Sequence, residues 1–219
     1  MFDVSTKIYK KVKIGKNAFI GDHVIIGLPS FGKKNGDSET IIGENSIIRS
    51  HTVIYAGNKI GNNFQTGHGV LIREANFIGN DVSVGTHSVI EHDIVIEDNV
   101  RMHSNVFIPE FSVLKKNSWL GPNVVLTNAL HPLCPSLKKC IKGPVIGENS
   151  KICANSTILP DIKTGKNSLV GAGSVVTKDI ADNTVVYGNP AKVKGKVYDI
   201  SCPKNLIKKP YPVSKSEGD

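Results

Sequence analysis

An apolar residue returns every six positions along most of this chain. From Ile42 the series runs through Ile48, Ile54 and Ile60 to Leu114, Leu120 and Leu126. A shorter run, Ile14, Ile20 and Ile26, precedes it, and another, from Ile146 to Val176, follows. Only Thr66 and Thr164 interrupt the apolar character. A helical face repeats near 3.6 residues and a half-buried strand every 2, so a strict period of six belongs to neither alone. The residue after the apolar one is often glycine, as at Gly15, Gly43, Gly79 and Gly147. Four places on, small or β-branched residues such as Ser46, Val82, Ser88 and Val124 recur, with asparagines clustered between. Each hexad reads as a short strand followed by a turn, its apolar side chain inside and its Gly or Asn taking positive φ. Repetition on this scale specifies stacked coils about 4.8 Å apart, with backbone groups paired along the stack.

The register breaks twice, between Ile26 and Ile42 and between Leu126 and Ile146. A stacked-coil fold expels such insertions as surface loops, here about 28–40 and 127–145, often on the binding face. One domain over 1–193 and a tail over 194–219, with Pro203, Pro210 and Pro212, are expected. No apolar run approaches the ~20 residues of a membrane span, so no membrane partner is expected. Met1–Lys13 has neither an apolar segment nor a cleavage signature, which makes a cytoplasmic location the default expectation. The spacings of Cys134, Cys140, Cys153 and Cys202 match no zinc pattern and read as free thiols. Net charge is +8, with much of the excess near the C-terminus, from Lys192 and Lys194 to Lys215. Aromatics are only 6% and no nucleic-acid-binding motif accompanies the charge, so nucleic acid is not an expected partner. A solvated basic tail is the plain reading, and a phosphate-bearing small ligand the functional one.

The hexads resemble those of the left-handed β-helix family, in which three hexads make one triangular coil. The resemblance covers about Ile14 to Val193. It implies an all-β chain: a single left-handed parallel β-helix of hexapeptide repeats with two loop excursions and a short irregular C-terminal tail. The left hand comes from the family, since the general rule for crossovers is right-handed. The family also implies a homotrimer that buries the flat faces, with active sites between subunits.

A coil of three hexads sorts residues into columns. His51, Gly69, His87, Asn105 and Asn123 form one; Glu74, His92, Glu110 and Asn128 form another. Such columns are either solvated turn ladders or the lining of a cleft. The second loop, with His131, leaves just after Asn128. The stretch SNVFIPEFSVLKKNSWLGPNVVLTN resembles the nucleotide-sugar N-acetyltransferases at Asn105, Glu110, Gly121, Pro122, Thr127 and Asn128. This implies a nucleotide-linked amino sugar as acceptor, with Asn105 orienting the amine or the thioester and Glu110, Asn128 and His87 binding the substrate. Where that family continues Asp-x-Tyr-Pro-Arg, this chain has Ala129, Leu130, His131, Pro132 and Leu133. A histidine before proline at this place resembles instead the sugar O-acetyltransferases, where it is the general base; an imidazole titrates near neutrality and suits that role. His131 is therefore the favoured base, and O-acetylation of a sugar the alternative.

The segment GAGSVVTKDIADNTVVYGNPAK, Gly171 to Lys192, resembles the last coils of acetyl-CoA-dependent members. It implies acetyl-CoA as cosubstrate, bound at Ala154, Gly171, Ala172, Gly173, Lys178, Asn189 and Pro190. Small residues would let the pantetheine lie against backbone amides, and Lys178 would meet a CoA phosphate. His51, His87 and His92 have the spacing of the zinc ligands of γ-class carbonic anhydrases, which share this fold, and shared across a trimer interface they could hold a metal that activates water. Their phase within the hexad differs by one residue, so the preferred reading uses no metal. A catalytically inert scaffold is the third reading.

Overall fold

Residues 5–211 are described by the structure, a computed structural model. The first four residues and 212–219, with Pro212 and Lys215 of the expected tail, lie outside the described residues. Each hexad gives a strand of two or three residues that ends on its apolar residue, as at Ile47–Ile48, Leu71–Ile72 and Val113–Leu114. Leu71 pairs with Val53 on one side and Val89 on the other, and Val89 with Phe107, each a step of three hexads along the chain. These parallel pairings build three sheets of nine, seven and ten strands. The chain visits them in turn: face A from Lys7–Ile8, face B from Val12–Ile14, face C from Phe19–Ile20. The result is the left-handed parallel β-helix that the hexads imply.

Two side chains of every six point inward, the apolar one and the one two places before it, because alternate residues of a strand share a side. Ile54, Ile90, Ile108 and Leu114 are wholly buried, and so are Thr52, Ser88, Val124 and Ser156 beside them. The hydroxyls among them are buried at little cost because they bond to backbone: Ser88 Oγ donates to the His103 carbonyl and Ser156 Oγ to that of Gly171, both at 3.0 Å. Ser118 Oγ is the exception among the described residues, buried with no partner.

The turn chemistry differs from expectation. Positive φ falls on the third residue after the apolar one, as at Asn45, His87 and Asn105. Apart from Gly27, the recurrent glycine directly after the apolar residue does not supply it. A Cβ at Gly43 would lie 2.4 Å from the backbone of Gly61, and one at Gly85 2.3 Å from that of His103. Glycine stands there because the next coil leaves no room for a side chain.

The first loop connects Ile25–Leu28 on face A to Thr40–Ile42 on face B. The second connects Val125–Leu126 on face A to Val145–Ile146 on face B and carries one helical turn, Leu137–Cys140. Both excursions therefore leave at the same corner. Regular structure continues past the expected boundary at 193: Lys192–Lys196 pairs antiparallel with Thr184–Tyr187, and Val197 behind it is 1% exposed. The four cysteines are free. No helix among the described residues is long and apolar enough to cross a membrane.

Candidate functional site

Three corners run the length of the helix, and their third-position residues differ in kind. Between faces B and C that position is always Asn or Asp: Asn17, Asn45, Asn63, Asp81, Asn99, Asn117, Asn149, Asn167 and Asn183. These side chains tolerate the left-handed region best after glycine. Their amides also bond from coil to coil, Asn63 to Asp81 at 2.8 Å, Asn117 to Asn149 at 2.9 Å and Asn167 to Asn183 at 3.0 Å. Local sterics and these bonds account for every residue of that ladder.

The corner between C and A holds His23, His51, Gly69, His87, Asn105, Asn123, Asn155 and Gly173. The His23 and His51 rings lie 4.9 Å apart. The His87 ring occupies the place a side chain would take at Gly69, 2.7 Å from a Cβ there. Asn105 has φ 59° and its N–H donates to the Thr86 carbonyl at 2.9 Å. Higher on the same corner are Ala154, Ala172 and Gly173, with Gly173 N–H donating to the Ala154 carbonyl at 2.9 Å. Gly173 faces open space at φ 68°. The Asn189–Pro190 peptide, which is cis, is brought to this corner because Val175 bonds to both Gly188 and Ala191. Ala154, Ala172, Gly173, Asn189 and Pro190 thus gather as one small-residue surface. Gly171 is set apart beneath Tyr187, whose Cβ would be 2.7 Å from a Cβ at that glycine. Lys178 is exposed and follows a face-A strand, at the corner between A and B, where it lines a hollow with Lys192 and Val193. Next to Ala154, burial pushes the Cys153 thiol up, which disfavours a thiolate there.

The corner between A and B carries side-chain chemistry. Glu110 accepts from Asn128 Nδ2 at 2.5 Å and lies 3.5 Å from His92 Nε2. The other nitrogen, His92 Nδ1, is 2.8 Å from Asp93. Phe111, at φ 64°, stands edge-on to the His92 ring, centroids 6.0 Å apart. One coil below, Arg73 binds Glu74 at 2.9 Å and Glu91 at 3.0 Å. Burial raises the Glu74 carboxyl, but the Arg73 hydrogen bond, its own backbone N–H and the nearby charges outweigh it and hold the group below the usual carboxylate range. The sequence placed Glu110 and Asn128 in one column and the structure joins them directly. It missed Asp93, Phe111 and Arg73; a phenylalanine at the left-handed position was the legible signal. His131 lies just beyond, exposed in the second loop, and among the described residues its imidazole has no partner.

One chain does not bring all of these together. Asn105 and His87 precede face-A strands, whereas Glu110, Asn128 and His131 follow them. The step from Asn105 to Glu110 spans up to about 17 Å. Within one chain the three histidines of the metal reading do not meet either, since His51 and His87 lie two coils apart on one corner and His92 on the other; that reading shares them between subunits. Among the described residues no three His, Cys, Asp or Glu are grouped to hold a metal ion.

A family profile described as bacterial transferase hexapeptide (six repeats) matches residues 143–178. The chain is 37% identical over 129 residues to a galactoside O-acetyltransferase of Lactococcus lactis, covering 57% of this chain and 58% of that protein. It is 48% identical over 65 residues to the dTDP-3-amino-3,6-dideoxy-alpha-D-galactopyranose 3-N-acetyltransferase of Aneurinibacillus thermoaerophilus, 30% of each chain. The chain thus spans little more than half the length of the first of these relatives and less of the second. In fold it is similar to the UDP-N-acetylglucosamine acyltransferase from Campylobacter jejuni, with TM-score 0.64 and 17% identity over 89% of this chain and 74% of that one.

Proposed function

We propose, from the membership of this chain in the hexapeptide-repeat acyltransferase superfamily, that it transfers the acetyl group of acetyl-CoA to a sugar. The preferred acceptor is the amino group of a nucleotide-linked amino sugar. The observation that carries this reading is the pair of unlike corners flanking face A: a small-residue surface with an open Gly173, and a polar array of His92, Glu110 and Asn128 beneath the loop of His131. The small corner fits an extended thioester arm, because Gly173 has nothing within 4 Å of where a side chain would project. Glu110 and Asn128 hold the acceptor. Its nitrogen attacks the thioester carbonyl, His131 takes the proton from nitrogen, the C–S bond breaks, and the resulting imidazolium returns that proton to the departing CoA sulfur. Asn105 orients the amine or the thioester.

The two corners belong to one site only if two copies of the chain meet. The outward row of face A is apolar and half-buried at Ile25, Val53, Leu71, Val89 and Phe107. A second copy laid on it would set the small corner of one subunit beside the polar corner of the next, and a cyclic trimer repeats that contact. Sedimentation equilibrium tests the assembly; a monomer at assay concentration sinks it. The reaction is tested by following CoA release over a panel of nucleotide-linked amino sugars. No turnover with any amine, together with acetylation of unmodified galactosides, would select sugar O-acetylation, the reading that the galactoside O-acetyltransferase likeness favours.

A further inference from the structure

Face C carries a basic hollow that none of the chemistry above uses. Along this face the residues following the inward apolar ones form a row, Arg49, Gly67, Gly85 and His103. Two missing side chains leave a gap about 10 Å long between Arg49 and His103, given a coil spacing of about 4.8 Å. Arg101 stands over its side. The hollow has a volume of about 230 Å³, and no carboxylate lines it. Its walls include the hydroxyls of Thr66, Ser83, Thr86 and Ser104. Arg49 is held in place by a 2.5 Å bond from Nη1 to the Thr66 carbonyl, which leaves its other guanidinium donors to face outward. An adjoining hollow that shares Arg49 is lined by one acid, Asp22. Arg101 makes no ion pair among the described residues. The His103 ring is braced edge-on against Trp119, centroids 5.0 Å apart.

Two guanidinium groups facing one polar, acid-free gap make a site for an anion with several oxygens, since planar N–H pairs match phosphate geometry. A gap of about 10 Å is longer than one phosphate and suits two in series with the sugar attached. The location adds the identity. Thr86 and Ser104 immediately precede His87 and Asn105, so the hollow opens onto the corner that, in the assembly proposed above, meets the acceptor-holding Glu110 and Asn128 of the next subunit. We propose that the hollow on face C binds the diphosphate of a nucleoside diphosphate, and that this is how the acceptor's nucleotide is recognised. The diphosphate site stands on the hollow itself; its link to the acceptor rests on the reading given under Proposed function.

Calorimetric titration of the full chain with UDP, dTDP and GDP, each against its nucleoside, tests the site without any turnover. The expected result is binding of at least one diphosphate, at least tenfold weaker binding of the matching nucleoside, and at least tenfold loss in Arg101→Ala at unchanged Tm. Arg101→Lys should restore part of the loss. Equal affinity for diphosphate and nucleoside, no binding of any diphosphate, or an Arg101→Ala protein that binds as well as the parent would each overturn the site. Displacement of the diphosphate by acetyl-CoA would overturn its assignment to the acceptor. Binding through Arg101 without acetylation of any amino sugar would leave the site standing and remove the transfer reading instead.

Discussion

The corner between faces B and C and the corner between A and B solve the same steric problem with different residues. Both turn on a left-handed backbone, the first in every coil and the second in most. The first uses only Asn and Asp, from Asn17 to Asn183, and its amides bond along the stack. The second uses a mixture, Lys11, Gly57, Ala75, Asp93, Phe111 and Asp161. Left-handed backbone costs an ordinary residue about 1–2 kcal/mol, and Asn or Asp less. A scaffold chosen for stability alone would repeat asparagine on both. Phe111 is retained against that cost where it braces His92, which in turn meets Glu110. Departure from the cheapest residue, read corner by corner, separates the parts of this solenoid that only hold it up from the parts that act.

The largest effect expected from this contrast is at His131. His131→Ala should lower turnover by about 10²–10⁴-fold, the usual contribution of a general base, with no loss of Tm. Rates near wild type would reduce the acting corner to Glu110 and Asn128. Next, Gly61→Ala should destabilise by about 1–3 kcal/mol, because its Cβ would meet the Gly79 backbone at 2.7 Å. Chemical denaturation measures this. Third, Asn99→Ala and Asn105→Ala should each cost about 1 kcal/mol of stability, since both stand at φ 59°, but only Asn105→Ala should slow acetyl transfer. Equal activities in that pair would remove Asn105 from the site. Fourth, Phe111→Asn should stabilise by roughly 1 kcal/mol while impairing turnover.

The smallest effect lies on the scaffold. The hydrogen bond from Lys115 to Glu97, at 2.7 Å, holds the Glu97 carboxyl below its ordinary 4.5. A carboxyl depressed on folding adds stability above its unfolded value, and this is lost as pH falls through the folded one. Lys115→Met should therefore lower stability by about 0.3–0.5 kcal/mol at neutral pH. The gap to wild type should close on going below pH 4.5, with turnover unaffected.

The six-residue period was enough to read the inward apolar residues and both excursions, and the family resemblance supplied the three faces, because a solenoid repeats one local solution and each coil contacts only its neighbours. The glycine after the apolar residue reads in sequence as a φ requirement, but its reason lies one full coil away, in the backbone that Gly43 or Gly85 touches. His92, Glu110 and Asn128 were legible as a column, though not the contacts His92 makes there. The array around them was not, because His92 with Asp93 and Phe111 is built from side-chain rotamers that no period encodes. Lys178 and Gly171, grouped with Gly173 by sequence, were separated by which corner a single step of the chain turns.

The stack of coils also acts as a ruler. Asn105, Asn123, Asn155 and Gly173 follow one another on a single corner, so the coil that would orient the acceptor and the coil that would cradle the donor are three steps, about 14 Å, apart. That distance is a whole number of repeats, and the chain can change it only in jumps of one coil. Inserting one more coil of three hexads between Asn123 and Ala154 would preserve every corner, every face and the core, yet move donor and acceptor out of reach of one another.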